Sequence, residues 1–335
     1  MTASIRPVAV RPVATTATER RIARALALEP GGPPSLQARV TGQVIRMVVK
    51  SVWQRTPDTD AGLARFQRVT ELMSAVQRVP RGVAITPQDL GTCTAEWVRA
   101  GAPDQRKVFL QMHGGGYFFG GPRLYRGFNW RLSAATGRPV LALDYRLAPQ
   151  HHPADALHDA LTAYDFLRAR GYAPEDIVVG GDSAGGHLTL ALLLALKERG
   201  TALPAAAIVL SPWADLLCES DSHRLNRRSE VLVPAERIAW LGRHFSRGRR
   251  HDDPLLSPRN GDLAGLPPLM LTASSTEILR DETLDVAERA RAAGVRVLYQ
   301  EWEGLAHVFP MFAEFMPEGK AAFRHMAEFL RAARA

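Results

Sequence analysis

The sequence predicts an α/β protein in which a mostly parallel central sheet is covered by helices on both faces and carries a helical cap. Three observations predict it. Short runs of apolar, β-branched residues without polar alternation, such as Ile177, Val178 and Val179, have the composition of strands buried on both faces. Strands of this kind alternate with helical segments from Lys107 to the C-terminus, the order that builds parallel strands joined by crossover helices. At Gly181-Asp182-Ser183-Ala184-Gly185 a strand runs directly into an apolar helix that includes His187 to Leu196, so the chain turns sharply around a serine.

A length of 335 residues suits one large domain and a smaller appendage. Charged residues at 23% and hydrophobic ones at 46% are ordinary for a globular chain. No apolar run reaches the roughly 18 residues that span a bilayer, so no integral membrane segment is expected. The stretch from Met1 to Ala27 lacks the continuous apolar core and small-residue cleavage site of a secretion signal. Two cysteines, Cys93 and Cys218, are too few for a disulfide scaffold and suit a reducing cytoplasm. The net charge of +8 raises the question of nucleic acid. Its arginines are scattered along helices, however, and the cluster Arg243, Arg247, Arg249 and Arg250 is interrupted by His251, Asp252 and Asp253. With no nucleic-acid-binding signature beside it, the charge reads as a solvated surface.

Residues 1–80 are expected to form a helical cap segment. From Ser35 to Trp53, Leu36, Val40, Val44, Met47 and Val48 fall on one face, with Arg39, Arg46 and Lys50 around the rest. From Asp58 to Arg78, Leu63, Phe66, Val69, Met73 and Val76 form a second stripe, and each stripe needs something to bury it. Residues 81–335 are expected to form the main α/β domain. Val83, Ile85, Ala95, Trp97 and Val98 predict an edge hairpin. Strands follow at Lys107–Met112, Pro139–Asp144, Ile177–Val179, Ala205–Leu210, Pro268–Ala273 and Val295–Trp302. Helices are expected near Tyr125–Ala135, Ala154–Arg170, Asp281–Ala293 and Glu314–Arg334. The gap between Ser211 and Leu266 is too long for a plain connection. It predicts a cap insertion at about residues 214–255, with a helix opening at Pro234 that turns Ile238, Leu241 and Phe245 to one side.

The chemistry is written in three places. Glycines two residues on either side of Ser183 permit a turn that larger side chains would block, and it pushes the serine oxygen out at a helix N-terminus, where developing negative charge is favoured. His113-Gly114-Gly115-Gly116-Tyr117 follows a buried strand, and consecutive glycines let backbone N–H groups approach an oxyanion. Gly114, Gly115 and Ala184 are the expected donors, with His113 as scaffolding for the loop. His307, on the loop after the last strand, is placed to serve as general base. The other histidines, in turns, on helices or in the insertion, read as surface or core residues.

His113-Gly-Gly-Gly116, Asp144-Tyr-Arg-Leu-Ala-Pro149 and Gly181-Asp-Ser-Ala-Gly-Gly186, in that order, resemble the motifs of the bacterial hormone-sensitive lipase family of α/β-hydrolase esterases. The resemblance runs from about Gly82 to the C-terminus. It implies an α/β-hydrolase fold, a serine nucleophile and hydrolysis of carboxylic esters, usually with short acyl chains. It also implies a triad acid between Ser183 and His307 in the chain. Asp253-Pro254-Leu255 resembles part of the family pattern but precedes the strand that should present the acid. The pattern aligns instead with Glu277-Ile278-Leu279-Arg280-Asp281-Glu282, which puts glutamate where most relatives carry aspartate and lacks the proline. Glu277 is the expected acid and Asp281 the alternative. The partner implied is a small-molecule ester, with no cofactor or metal. Lactone hydrolysis, deacetylation of a metabolite, ligand binding without catalysis, and a homodimer all remain open to this sequence.

Overall fold

The structure, a computed structural model, describes residues 32–74, 79–246, 253–254 and 256–333. Eight strands form one sheet: β1 (Val83–Asp89), β2 (Thr94–Ala100), β3 (Val108–Met112), β4 (Val140–Asp144), β5 (Ile177–Asp182), β6 (Ala206–Leu210), β7 (Leu269–Ser274) and β8 (Val297–Trp302). Their spatial order is β1-β2-β4-β3-β5-β6-β7-β8. The hairpin β1–β2 is antiparallel and β2 joins β4 antiparallel. From β4 to β8 every pairing is parallel. Consequently the C-terminal ends of β3, β5, β7 and β8 share one edge of the sheet, and the loops that follow them meet there.

The unalternating strands have a physical cause. Val108, Leu110, Met112, Ile177 and Val179 face one core, whereas Phe109, Val140, Ala142 and Val178 face another. Each face must be apolar because each is covered. Helices α5 (Pro153–Ala169), α6 (Ala184–Glu198) and α9 (Arg280–Ala292) contribute to the first core, and α4 (Arg126–Thr136) and α10 (Pro317–Ala333) to the second. Capping fixes where several of these helices begin and end. His152 accepts from Ala154 N–H, and Asp155 answers with a bond to His152 N–H. Gly137 ends α4 in the left-handed conformation at φ 65°.

At the N-terminus the structure departs from the amphipathic reading. Helix α1 (Leu36–Ile45) leads through a π-helical segment, Arg46–Lys50, into α2 (Ser51–Gln54), and α3 (Asp60–Ser74) comes next. The expected stripe is the outer one, with Leu36 66% and Met47 65% exposed and Val40, Val44 and Val48 also exposed. Ala38, Ile45 and Trp53 are buried instead. Two contacts explain the rotation. Ser35 caps α1 and binds Glu318 of α10 through both its N–H and Oγ, at 2.7 and 3.0 Å, which sets the entry angle. Within the π-helical segment, whose wider turn breaks the α-helical register, Arg46 and Lys50 reach inward onto the main-chain oxygens of Ser229 and Glu230. In α3, Leu63 and Phe66 are buried as expected, but Val69 is exposed. Val76 and the Met73 side chain lie outside the described residues, as do Arg247, Arg249, Arg250, His251, Asp252 and Leu255.

The connection after β6 carries α7 (Asp221–Leu225) and α8 (Ala235–Phe245). Pro234 is the residue before α8 rather than its first, and Ile238, Leu241 and Phe245 are buried as the pattern required.

Candidate active site

Ser183 sits between β5 and α6 with φ 53° and ψ −120°, a strained backbone for a residue with a side chain. The flanking glycines make it feasible. A Cβ at Gly181 would stand 2.4 Å from Gly185 O, and one at Gly185 would stand 2.1 Å from Met112 O. The turn is held by Ser183 N–H donating to Leu210 O at 2.9 Å and by His187 and Trp213 N–H donating to Ser183 O. Ala184 opens α6, so its N–H belongs to the first turn, which has no intrahelical acceptor.

The glycine loop comes off β3 beside this turn. His113 is buried, its Nδ1 lies 2.7 Å from Gly114 O, and its ring stacks on Tyr145, whose hydroxyl donates to His113 O at 2.6 Å. Burial pushes the His113 imidazole down to about 4, so it stays neutral as scaffolding. Gly115 has φ 119°, and a Cβ there would lie 1.9 Å from Phe119 O. The expected assignment of Gly114 as an oxyanion donor is corrected: its N–H donates to Tyr125 Oη at 2.9 Å, and that hydroxyl donates to Asp182 Oδ2 at 2.7 Å. Among the described residues the N–H groups of Gly115 and Gly116 donate to nothing. Sequence reasoning also passed over Tyr125 and Asp182. A carboxyl in the variable position of the serine motif was the available signal, since the residue before a buried elbow must find a partner.

Glu277 stands three residues beyond β7 and is fully enclosed. Its Oε1 accepts from Ser274 N–H at 2.7 Å, and its Oε2 lies 2.7 Å from His307 Nδ1. His307 is 3% exposed, and among the described residues its Nε2 has no hydrogen-bond partner. The two loops are laced together, because Ser274 Oγ donates to Leu305 O and accepts from Leu305 N–H. Asp281 is turned elsewhere, accepting from Ser222 N–H at 2.7 Å and pairing with Arg280 at 2.8 Å. Burial alone would lower the His307 imidazole. The hydrogen bond and charge of Glu277, with the charges of Glu230 and Asp182, outweigh burial and hold it above its ordinary value. Burial lifts the Asp182 carboxyl to about 7, against the opposing pull of Tyr125 and His307.

Chemically, a carboxylate on Nδ1 fixes the tautomer that leaves Nε2 as the proton acceptor. On the same edge of the sheet β5 delivers a serine on a strained turn, and among the described residues the nearby glycine loop keeps backbone N–H groups without an acceptor, features of the kind that acyl transfer uses.

Residues 109–311 match the family described as the alpha/beta hydrolase fold, and the chain belongs to that family. It is 37% identical over 292 residues to an acetyl-hydrolase of Streptomyces hygroscopicus, covering 87% of this chain and 96% of that protein. It is 35% identical over 314 residues to a carboxylesterase/phospholipase of Mycobacterium tuberculosis, covering 90% and 83%. An esterase structure from the bacterial hormone-sensitive lipase family aligns with a TM-score of 0.83 at 34% identity, covering 91% of this chain and all of that one. Within the fold, the protein is a member of that bacterial hormone-sensitive lipase family of esterases. Among the described residues no helix is long and apolar enough to cross a membrane.

Proposed function

We propose that this esterase cleaves short-chain carboxylic esters through an acyl-enzyme on Ser183, with His307 as general base and Glu277 as its orienting acid. The single observation that carries the reading is the buried Glu277–His307 bond of 2.7 Å, which leaves Nε2, with no partner among the described residues, at the sheet edge where β5 delivers Ser183. In the first step Nε2 takes the Ser183 proton as Oγ attacks the acyl carbon. The carbonyl oxygen becomes negative and is met by the N–H groups of Gly115, Gly116 and Ala184. The imidazolium then gives its proton to the departing alcohol, and water repeats the sequence to release the acid.

The cap is proposed from residues 32–80 together with the insertion at about 214–255. Trp53 and Phe66 pack on Phe118 and Phe119, which directly follow the glycine loop, with ring centroids 5.2 to 5.9 Å apart. Leu241 of α8 approaches Gly116. Aromatic and aliphatic bulk this close to the oxyanion loop favours a small acyl group, as does similarity to proteins named acetyl-hydrolase and ethyl acetate hydrolase. Unpaired Cys93 and Cys218 support a cytoplasmic location. Turnover of p-nitrophenyl esters of graded acyl length, beside lactones and acetamides, tests the proposal. The expected order is acetate and butyrate above longer esters, with lactones and amides slow. A preparation that hydrolyses only lactones or only acetamides would overturn it.

A further inference from the structure

The loop that carries Glu277 is held by the insertion as well as by its own bonds to Ser274. All four main-chain carbonyls from Ser275 to Ile278 accept hydrogen bonds from side chains in the insertion. Asn226 Nδ2 donates to Ser275 O at 3.0 Å and to Glu277 O at 2.9 Å. Ser229 Oγ donates to Thr276 O at 3.0 Å, and Ser222 Oγ to Ile278 O at 2.7 Å. The insertion also receives one bond back, from Ile278 N–H to Glu230 Oε2 at 3.3 Å. Glu230 is 1% exposed, and its Oε1 is fixed by the N–H groups of Leu232 and Val233 at 2.7 and 3.2 Å. On its far side, buried Lys50 donates Nζ to Glu230 O at 2.6 Å. A buried carboxylate is costly unless it is bonded and paired. One placed beside a residue adjacent to Glu277, with a lysine from the N-terminal segment behind it, has a purpose beyond packing.

We propose that Glu230 is a positioning residue for the Glu277–His307 pair: its bond to Ile278 N–H sets where Glu277 stands, and its charge adds to the field on the imidazole. Three carboxyl groups from three parts of the fold act electrostatically on His307: Glu277 after β7, which bonds it directly, and at longer range Glu230 from the insertion and Asp182 at the end of β5. Lys50 faces Glu230 and offsets part of its field. A negative group near imidazole favours its cation, so removing Glu230's charge should let His307 lose its proton at lower pH. This rests on the triad reading given above.

Glu230→Gln tests both halves in the full-length protein. One amide oxygen cannot serve Leu232, Val233 and Ile278 together, so the Ile278 N–H loses its acceptor beside Glu277 while the volume is kept. The expected result is kcat lower by roughly ten- to a hundredfold with KM little changed. The acid limb of the kcat/KM profile should move down by about half a pH unit or more. Glu230→Asp keeps the charge with a shorter reach, so its limb should stay at the wild-type position while kcat remains depressed. A merely structural role would lower the melting temperature without moving the limb, and an unmoved limb in Glu230→Gln overturns the proposal. Should that variant fail to fold, Lys50→Met supplies the opposite sign. It leaves Glu230 uncompensated, so the limb should rise, and an unmoved limb there is equally fatal. Residual turnover in Ser183→Ala, or a wild type with no acid limb, would instead fault the triad reading.

Discussion

Replacing Glu277 by glutamine separates orientation from packing in this site. The glutamine oxygen can keep the bond to Ser274 N–H that Glu277 Oε1 makes at 2.7 Å. Its NH₂ then faces His307 Nδ1, where the carboxylate oxygen now lies at 2.7 Å. An NH₂ group makes Nδ1 an acceptor, which moves the ring proton to Nε2 and removes the lone pair that should take the serine proton. The imidazolium of the transition state also loses its buried counter-charge. Inverting the tautomer in a serine protease triad costs on the order of 10⁴ in kcat, which is about 5 kcal/mol, and the same loss is expected here with the fold intact. Asp281→Asn is the matched control. Its oxygen can still accept from Ser222 N–H, so what is lost is a half-exposed pair with Arg280 and a negative charge in the first turn of α9. Such a pair contributes about 0–1 kcal/mol, and the helix-dipole term is of similar size. A melting shift of a few degrees at most and unchanged kcat should result. Steady-state kinetics and thermal unfolding of both variants decide the matter. Normal turnover in Glu277→Gln with a dead Asp281→Asn would refute the reasoning.

Four further outcomes are expected. Ser183→Ala should fold normally and lose on the order of 10⁶ in kcat, and mass spectrometry after an organophosphonate should find the label on Ser183 of the wild type alone. Activity should rise with pH along a single limb whose midpoint lies above the ordinary imidazole value of about 6.5, because the raised His307 accepts a proton only when neutral. A midpoint below about 6 contradicts that sign, and restoration of a chelator-treated enzyme by a divalent ion contradicts a metal-free mechanism. Gly115→Ala should lower kcat by at least 10²-fold, since its Cβ would force Phe119 O away and swing an oxyanion donor out of line; near-normal kcat would remove Gly115 from the hole. Trp53→Ala should cost roughly 3–5 kcal/mol of stability, because the ring is 5% exposed among Phe66, Phe118 and Phe119. It should also raise KM most for the acyl chains that reach it, and equal KM changes across all acyl lengths would dissociate Trp53 from the acyl pocket.

How legible the fold was depended on whether an element answers to its own residues or to a neighbour. The inner strands were plain, because a strand covered on both faces is apolar at nearly every position, whatever covers it, whereas β8 at the edge is half-buried and carries Gln300 and Glu301. The edge hairpin was plain for the opposite reason, since its residues alternate between a more covered and a more open face. Helix α1 was misread because its orientation is not set by its hydrophobic pattern. Ser35 is tied to Glu318, 283 residues away, and the π turn at Arg46–Lys50 breaks the α-helical register. Neither contact leaves a periodic trace, so the apolar stripe from Leu36 to Val48 pointed outward while two basic residues reached in.

The site divides along the same line. The proposed roles of Ser183 and His307 could be argued from local features alone: glycines that allow the elbow, and a loop after the last strand. Glu277 was reached only through a family pattern that it breaks, and the geometry shows why the break is tolerated. With Oε1 bound to Ser274 N–H, the additional methylene of glutamate is taken up in spanning from the end of β7 to His307. The choice among Gly114, Gly115 and Gly116 was beyond any local rule, since all three have the freedom an oxyanion donor needs. What distinguishes them is a hydroxyl eleven residues downstream. The Tyr125 hydroxyl accepts from Gly114 N–H and donates to Asp182 Oδ2, so the glycine loop and the serine turn are joined by two bonds. Gly114 is thereby tied to the elbow while, among the described residues, the N–H groups of Gly115 and Gly116 donate to nothing; in the proposed mechanism that division is what leaves Gly115 and Gly116, rather than Gly114, to meet the oxyanion.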